Sequence, residues 1–187
     1  MRFHPLLRKI ALAGVLAGVL TGVLALTPPT HAAEPVSGSV TGSVTVTASR
    51  AVVLELLADH TQTLRMCPDV RSVRVVSTSA QGCAELSVET TGLWNPMHYV
   101  SRRCPTADGS REELLHSDDF YENTFVWSVT DAGSVRRVSL VVRSAPRLPV
   151  PEWILGPAVR SSVDTTLANF AARVAARVTA TATQAPR

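Results

Sequence analysis

Four side chains on two neighbouring stretches carry most of the chemistry in this sequence: Tyr99 and Arg103 in MHYVSRRC, and Glu112 and His116 in REELLHSD. A Tyr beside a His can move a proton. An Arg beside a Glu can meet a polar ligand group or close on itself as a satisfied pair. No stretch reads GxSxG, HExxH, CxxC or a phosphate loop. Cys67, Cys83 and Cys104 fit no zinc spacing. No catalytic residue, cofactor or metal is therefore assigned.

Which of these groups meet depends on strand register. Six strand-like runs follow one another: RSVRVVST, CAELSVETT, MHYVSRRC, REELLHSD, NTFVWSV and VRRVSLVVRS. Centring the TGLWNP connection puts Cys83 opposite Cys104, Glu85 opposite Arg102 and Glu89 opposite His98. On the other face Leu86 meets Ser101 and Val88 meets Tyr99. Continuing over TADG pairs Arg102 with Glu113, Arg103 with Glu112 and Tyr99 with His116. One face then carries the row Glu85, Arg102 and Glu113. The other carries Leu86, Val88, Tyr99, Ser101, Leu114 and His116, with Arg103 and Glu112 near the tight turns. A one-residue slip would bury the charged row, which argues for this register. By alternation Phe125, Trp127, Val138 and Leu140 also point inward. The register places Cys83 and Cys104 as a disulfide. Cys67 lies about a strand length away and stays a free thiol. Three buried reduced thiols are the alternative.

The elements that hold these strands lie on either side. SVTVTA reads as a first strand from Ser43. Ser49 caps a helix with Val52, Leu56 and Leu57 on one face, and TQTLRM is a second short helix stopped by Pro68. After Pro146, Pro149 and Pro151 a long helix starts at Pro157. Its stripe is Val159, Val163, Leu167, Phe170, Val174 and Val178. The order predicts an α+β fold: a curved antiparallel sheet of about seven strands on a long C-terminal helix, with two short helices after strand one. SAQG, TADG and DAG are tight turns at one end of the sheet. The other end collects Leu93, Trp94, Phe120, Tyr121 and Trp153 as the mouth of an interior. That interior is apolar with sparse polar groups, as a hydrophobic ligand with one polar head requires. Its expected ligand-facing residues are Leu86, Val88, Tyr99, Ser101, Arg103 and Leu114. His116, Phe125, Trp127, Leu140, Leu167 and Phe170 complete the set. A filled core reads the same way.

Arg2, Arg8 and Lys9 precede the uncharged run IALAGVLAGVLTGVLAL and then TPPTHAA. Residues 1–33 read as a secretory signal, so the protein is expected in the periplasm or outside the cell; an uncleaved membrane anchor is the alternative. Removing 33 of 187 residues leaves 154, with 15 basic and 15 acidic side chains. That is one domain with no bulk charge for nucleic acid. Residues 34–42 are expected to be flexible, 43–180 to form the domain and 181–187 to fray.

The order resembles the START-like, or SRPBCC, superfamily with its helix-grip fold. The resemblance rests on Thr45–Val76, with Leu57-Ala58-Asp59 and Pro68-Asp69-Val70, and on Pro151-Glu152-Trp153. One departure is Met66-Cys67, where the family often has a Trp. The resemblance implies carriage of a lipid, sterol, quinone or polyketide-like molecule without catalysis, in the manner of lipid-transport members. A second possibility is an interaction module whose aromatic mouth docks on a membrane or protein. A third is a polyketide cyclase/dehydrase or hydrolase-like enzyme using Tyr99 and His116. A hydrophobic small molecule is the expected partner, with transient membrane contact allowed and no nucleic acid.

Overall fold

Alternation of Val with Ser and Thr draws the chain after Gly38 into a strand, and the same two-residue period builds six more. The computed structural model describes residues 38–92, 95–148 and 150–184. The signal-like residues 1–33, Leu93, Trp94 and the end of the tail, 185–187, lie outside them. The elements are β1 (Gly38–Val46), α1 (Arg50–Ala58), α2 (His60–Arg65), β2 (Val70–Thr78), β3 (Ala84–Thr90) and β4 (Met97–Thr106). Then come β5 (Gly109–His116), β6 (Phe120–Ala132), β7 (Val135–Pro146) and α3 (Glu152–Gln184). The strands form one antiparallel sheet in the order β1-β7-β6-β5-β4-β3-β2. The α+β architecture is the expected one: a curved seven-stranded sheet, two short helices after the first strand, and a long C-terminal helix.

Several boundaries move. β1 begins at Gly38, five residues before Ser43, because its ladder with β7 continues to Gly38 opposite Ser144. Residues 38–42 are therefore strand and not a flexible lead. Gly42 has a packing role there. A Cβ on it would stand 2.7 Å from both Leu167 Cδ1 and Val163 Cγ1, so α3 crosses β1 where a side chain is missing. Arg160 fastens the crossing by donating to Thr41 O at 2.8 Å. In α1, Ser49 caps as expected by accepting from Val52 N, but the buried face is Val53 and Leu57. Val52 and Leu56 are half-buried.

α3 starts at Glu152 and not at Pro157, with the N–H groups of Ile154 and Leu155 donating to Pro151 O. Pro157 sits on the exposed side of the second turn, where its missing N–H is tolerated. At the far end α3 runs to Gln184, past the expected limit at residue 180.

The β3–β4 register is the expected one. In β4–β5 the pairs Arg102–Glu113 and Arg103–Glu112 hold, but an irregularity after Val100 sets His116 opposite Val100 rather than Tyr99. The outer row also rearranges. Arg102 bonds Glu85 at 2.8 Å, while Glu113 bonds Arg111 at 2.6 Å.

Two apolar clusters fill part of the interior. Trp127, Val129, Val138 and Leu140 pack with Val53 and Leu57 of α1 and with Val163, Leu167, Phe170 and Val174 of α3. Leu64, Leu86, Val88, Tyr99 and Phe120 form the second, with Leu114 packed against it.

Candidate ligand cavity

The α3 stripe continues toward the helix start beyond the residues the heptad-like spacing first suggests. Leu155, Val159, Ser162, Val163 and Thr166 fall at steps of three and four and face the sheet. Here the helix does not close on the strands. A cavity of about 330 Å³ lies between its first turns and the inner faces of β3, β4, β6 and β7. Its apolar wall includes Met97, Phe120, Phe125, Leu140, Val142 and Val150. That volume lies at the lower end of the range for small-molecule sites.

The polar part is compact. Thr90, Tyr99, Asn123 and Ser144 all line the cavity and are all buried. Asn123 and Ser144 are directly opposite in the β6–β7 ladder. Tyr99 lies opposite Val88, one inward position from Thr90. Neither the Tyr99 hydroxyl nor Thr90 Oγ1 makes a hydrogen bond within the protein. Burial holds the Tyr99 pKa well above the usual tyrosine range, and the Glu112 charge adds to this. The Asn123 side chain works against that shift, although its contact falls short of hydrogen-bond geometry. Tyr99 therefore keeps its proton at ordinary pH.

Behind the cavity lies a buried ion pair. Arg103 Nη1 is 3.7 Å from Glu112 Oε2, with both side chains 1% exposed. Ser101 donates to Glu112 Oε1 at 2.7 Å, and Arg103 donates to Ser110 Oγ at 2.8 Å. Burial pushes the Glu112 pKa up, opposed by Arg103, and pushes the Arg103 pKa down, opposed by Glu112. Cys67, a buried free thiol, also lines the cavity. Burial pushes its pKa to about 11, against a hydrogen bond with Thr166.

The expected residues divide by place. Tyr99, Phe125, Leu140 and Phe120 line the cavity. Trp127, Leu167 and Phe170 do not; they belong to the filled core, where the Trp127 and Phe170 rings stand 5.3 Å apart. Leu86, Val88 and Leu114 pack in the second cluster, and Ser101 and Arg103 in the ion-pair network. His116 is exposed and borders a hollow on the other face, so no Tyr99–His116 pair forms. The register change after Val100 is the cause. Tyr121 borders the same hollow under the Arg147 guanidinium, 4.3 Å from its ring centre, and not the cavity mouth. Trp153 is 76% exposed beside Ile154 and Leu155 and does not line the cavity. Thr90, Asn123, Ser144 and Cys67 are additions. The first three continue the inward alternation of Leu86–Val88, Phe125–Trp127 and Val138–Leu140, by one more step at Thr90 and Asn123 and by two, past Val142, at Ser144, which is the signal that could have found them.

Cys83 and Cys104 form a disulfide. No family model matches the sequence. No curated protein matches it either. Solved structures do. A START superfamily protein from Mycobacterium smegmatis matches at TM-score 0.64 and 15% identity, over 73% of this chain and 96% of that one. The Zhui aromatase/cyclase from a Streptomyces species matches at 0.63 and 15%, over 76% and 96%. A STAR-related lipid transfer protein from Xanthomonas axonopodis matches at 0.59 and 16%, over 73% and 85%. The fold is the helix-grip fold of START-like proteins. Identities this low carry the fold and not the activity.

Proposed function

We propose that this protein binds and carries a hydrophobic small molecule in the cavity beneath the first turns of α3, without chemical conversion. The single observation behind the reading is the cavity itself: mostly apolar walls with polar groups gathered on one side. Like-folded proteins described as lipid transfer and START proteins support it. An aromatase/cyclase also shares the fold, but the His expected beside Tyr99 faces away. The disulfide supports export, since such bonds persist in oxidising compartments. Among the described residues no helix is long and apolar enough to cross a membrane.

The test is native mass spectrometry of protein purified from an exporting host, followed by release and identification of small molecules. One apolar molecule per chain is the expected result. A bare mass that persists after incubation with a lipid extract would refute the reading.

A second reading concerns delivery. Exposed Trp153 and Leu148 flank the helix start, and Leu148 also lines the cavity. Transient membrane contact there would let a ligand pass between bilayer and cavity. Vesicle co-sedimentation that is lost in Trp153→Ala would support it; equal binding by the variant would exclude this patch.

A further inference from the structure

We propose that the cavity selects an uncharged lipophile bearing a hydroxyl or carbonyl oxygen, which it holds between Thr90, Tyr99, Asn123 and Ser144, and that it rejects carboxylates and phosphates. This rests on the cavity being a ligand site.

The argument starts from what is unpaired. Tyr99 and Thr90 are 3% and 8% exposed, yet neither hydroxyl makes a hydrogen bond of full geometry within the protein, Tyr99 having only its weaker contact with the Asn123 side chain. A buried unmet hydroxyl costs free energy that a ligand oxygen would recover. Tyr99 retains its proton, so it donates and needs an acceptor. Thr90 and the Asn123 amide both donate and accept, so a hydroxyl or carbonyl oxygen satisfies the group. On the helix side the Thr166 hydroxyl is already spent on Ser162 O at 2.7 Å, which leaves the half-buried Ser162 hydroxyl there against four buried polar side chains on the strands. The larger polar group draws the head toward the sheet.

Charge sets the exclusion. Among the described residues lining the cavity, the one charged side chain is Asp69, exposed at its edge. Its sign opposes an anion. The nearest buried cation, Arg103, does not line the cavity; its charge is met by Glu112 at 3.7 Å and it donates to Ser110 Oγ and Leu57 O, although its Nε has no partner. A carboxylate entering here would lose its water and gain no counter-charge.

The test uses the intact, disulfide-bonded protein and one ring system with three heads: pyrene, pyrenemethanol and pyrenecarboxylate, titrated by fluorescence at neutral pH. Dodecanol and dodecanoate, read by displacement or native mass, cover a cavity too narrow for four rings. Pyrenemethanol should bind at least about 5-fold tighter than pyrene, from one or two hydrogen bonds. It should bind at least about 100-fold tighter than pyrenecarboxylate, which would be buried without a counter-charge. Tyr99→Phe should cut the alcohol's advantage and leave pyrene unchanged. Equal affinity for the alcohol and its anionic partner, or an advantage untouched by Tyr99→Phe and by Thr90→Val, overturns the selection. If no probe of either set binds, the cavity reading falls with it.

Discussion

Cys67 lines the cavity, and its burial should make it a poor nucleophile. The thiolate is the reactive form, and an apolar wall disfavours it. The pKa rises from 9.0 to about 11. At mildly alkaline pH the folded protein should therefore react with iodoacetamide roughly 100-fold more slowly than the unfolded chain, before any steric protection is added. Mass-spectrometric labelling with and without denaturant measures this; equal rates would show that the thiol is open. The sign of the pH effect follows. The folded state keeps a proton that the unfolded chain releases. The contribution is whole below about pH 9 and is lost as pH rises to about 11. At this scale the sequence is legible where charge marks the faces and obscure where it does not. Glu85 and Arg102 fixed one register. Leu114 and Leu115 are adjacent and both apolar, so alternation there points both ways, and the break after Val100 turned His116 outward.

α3 is one continuous helix that does two jobs. Its middle closes a packed core through Leu167 and Phe170, both nearly inaccessible. Its first turns roof the cavity through Leu155 and Val159, which are half-buried. The same substitution should therefore cost unequal amounts. Leu167→Ala removes a side chain from a filled site and should cost about 2–5 kcal/mol. Leu155→Ala only enlarges an existing space and should cost less than about 1.5 kcal/mol. Denaturant unfolding with unchanged m-values would measure both. Equal losses would mean that the first turns are packed as tightly as the middle. The stripe from Val159 to Val174 was legible because its period is regular. The earlier start was not, because Pro157 looks like a first-turn residue and here falls inside the helix. The same hydrophobic period fits both a filled face and a cavity roof, so the division between them needed the fitted backbone.

The sheet as a whole places the disulfide and the cavity at opposite ends. Strand order, helix order and the short turns were readable, since alternation and turn residues act locally. The cavity was not, because it depends on how far the helix stands from strands remote in sequence. At the tight-turn end Cys83 and Cys104 join the start of β3 to β4. At the other end Thr90 and Tyr99 face the cavity, about 20 Å away along seven residues of strand. The disulfide closes a loop with a sequence separation of 21, so it stabilises mainly by limiting the unfolded chain. Replacing both cysteines with Ser should cost about 3 kcal/mol and lower the Tm by about 10 °C. Because the constraint acts on the unfolded chain and at the far end, pyrenemethanol affinity measured well below the Tm should stay within about twofold. A parallel loss of affinity in the folded variant would mean instead that the bridge holds β3 and β4 in the spacing that Thr90 and Tyr99 need, and that the two ends work as one.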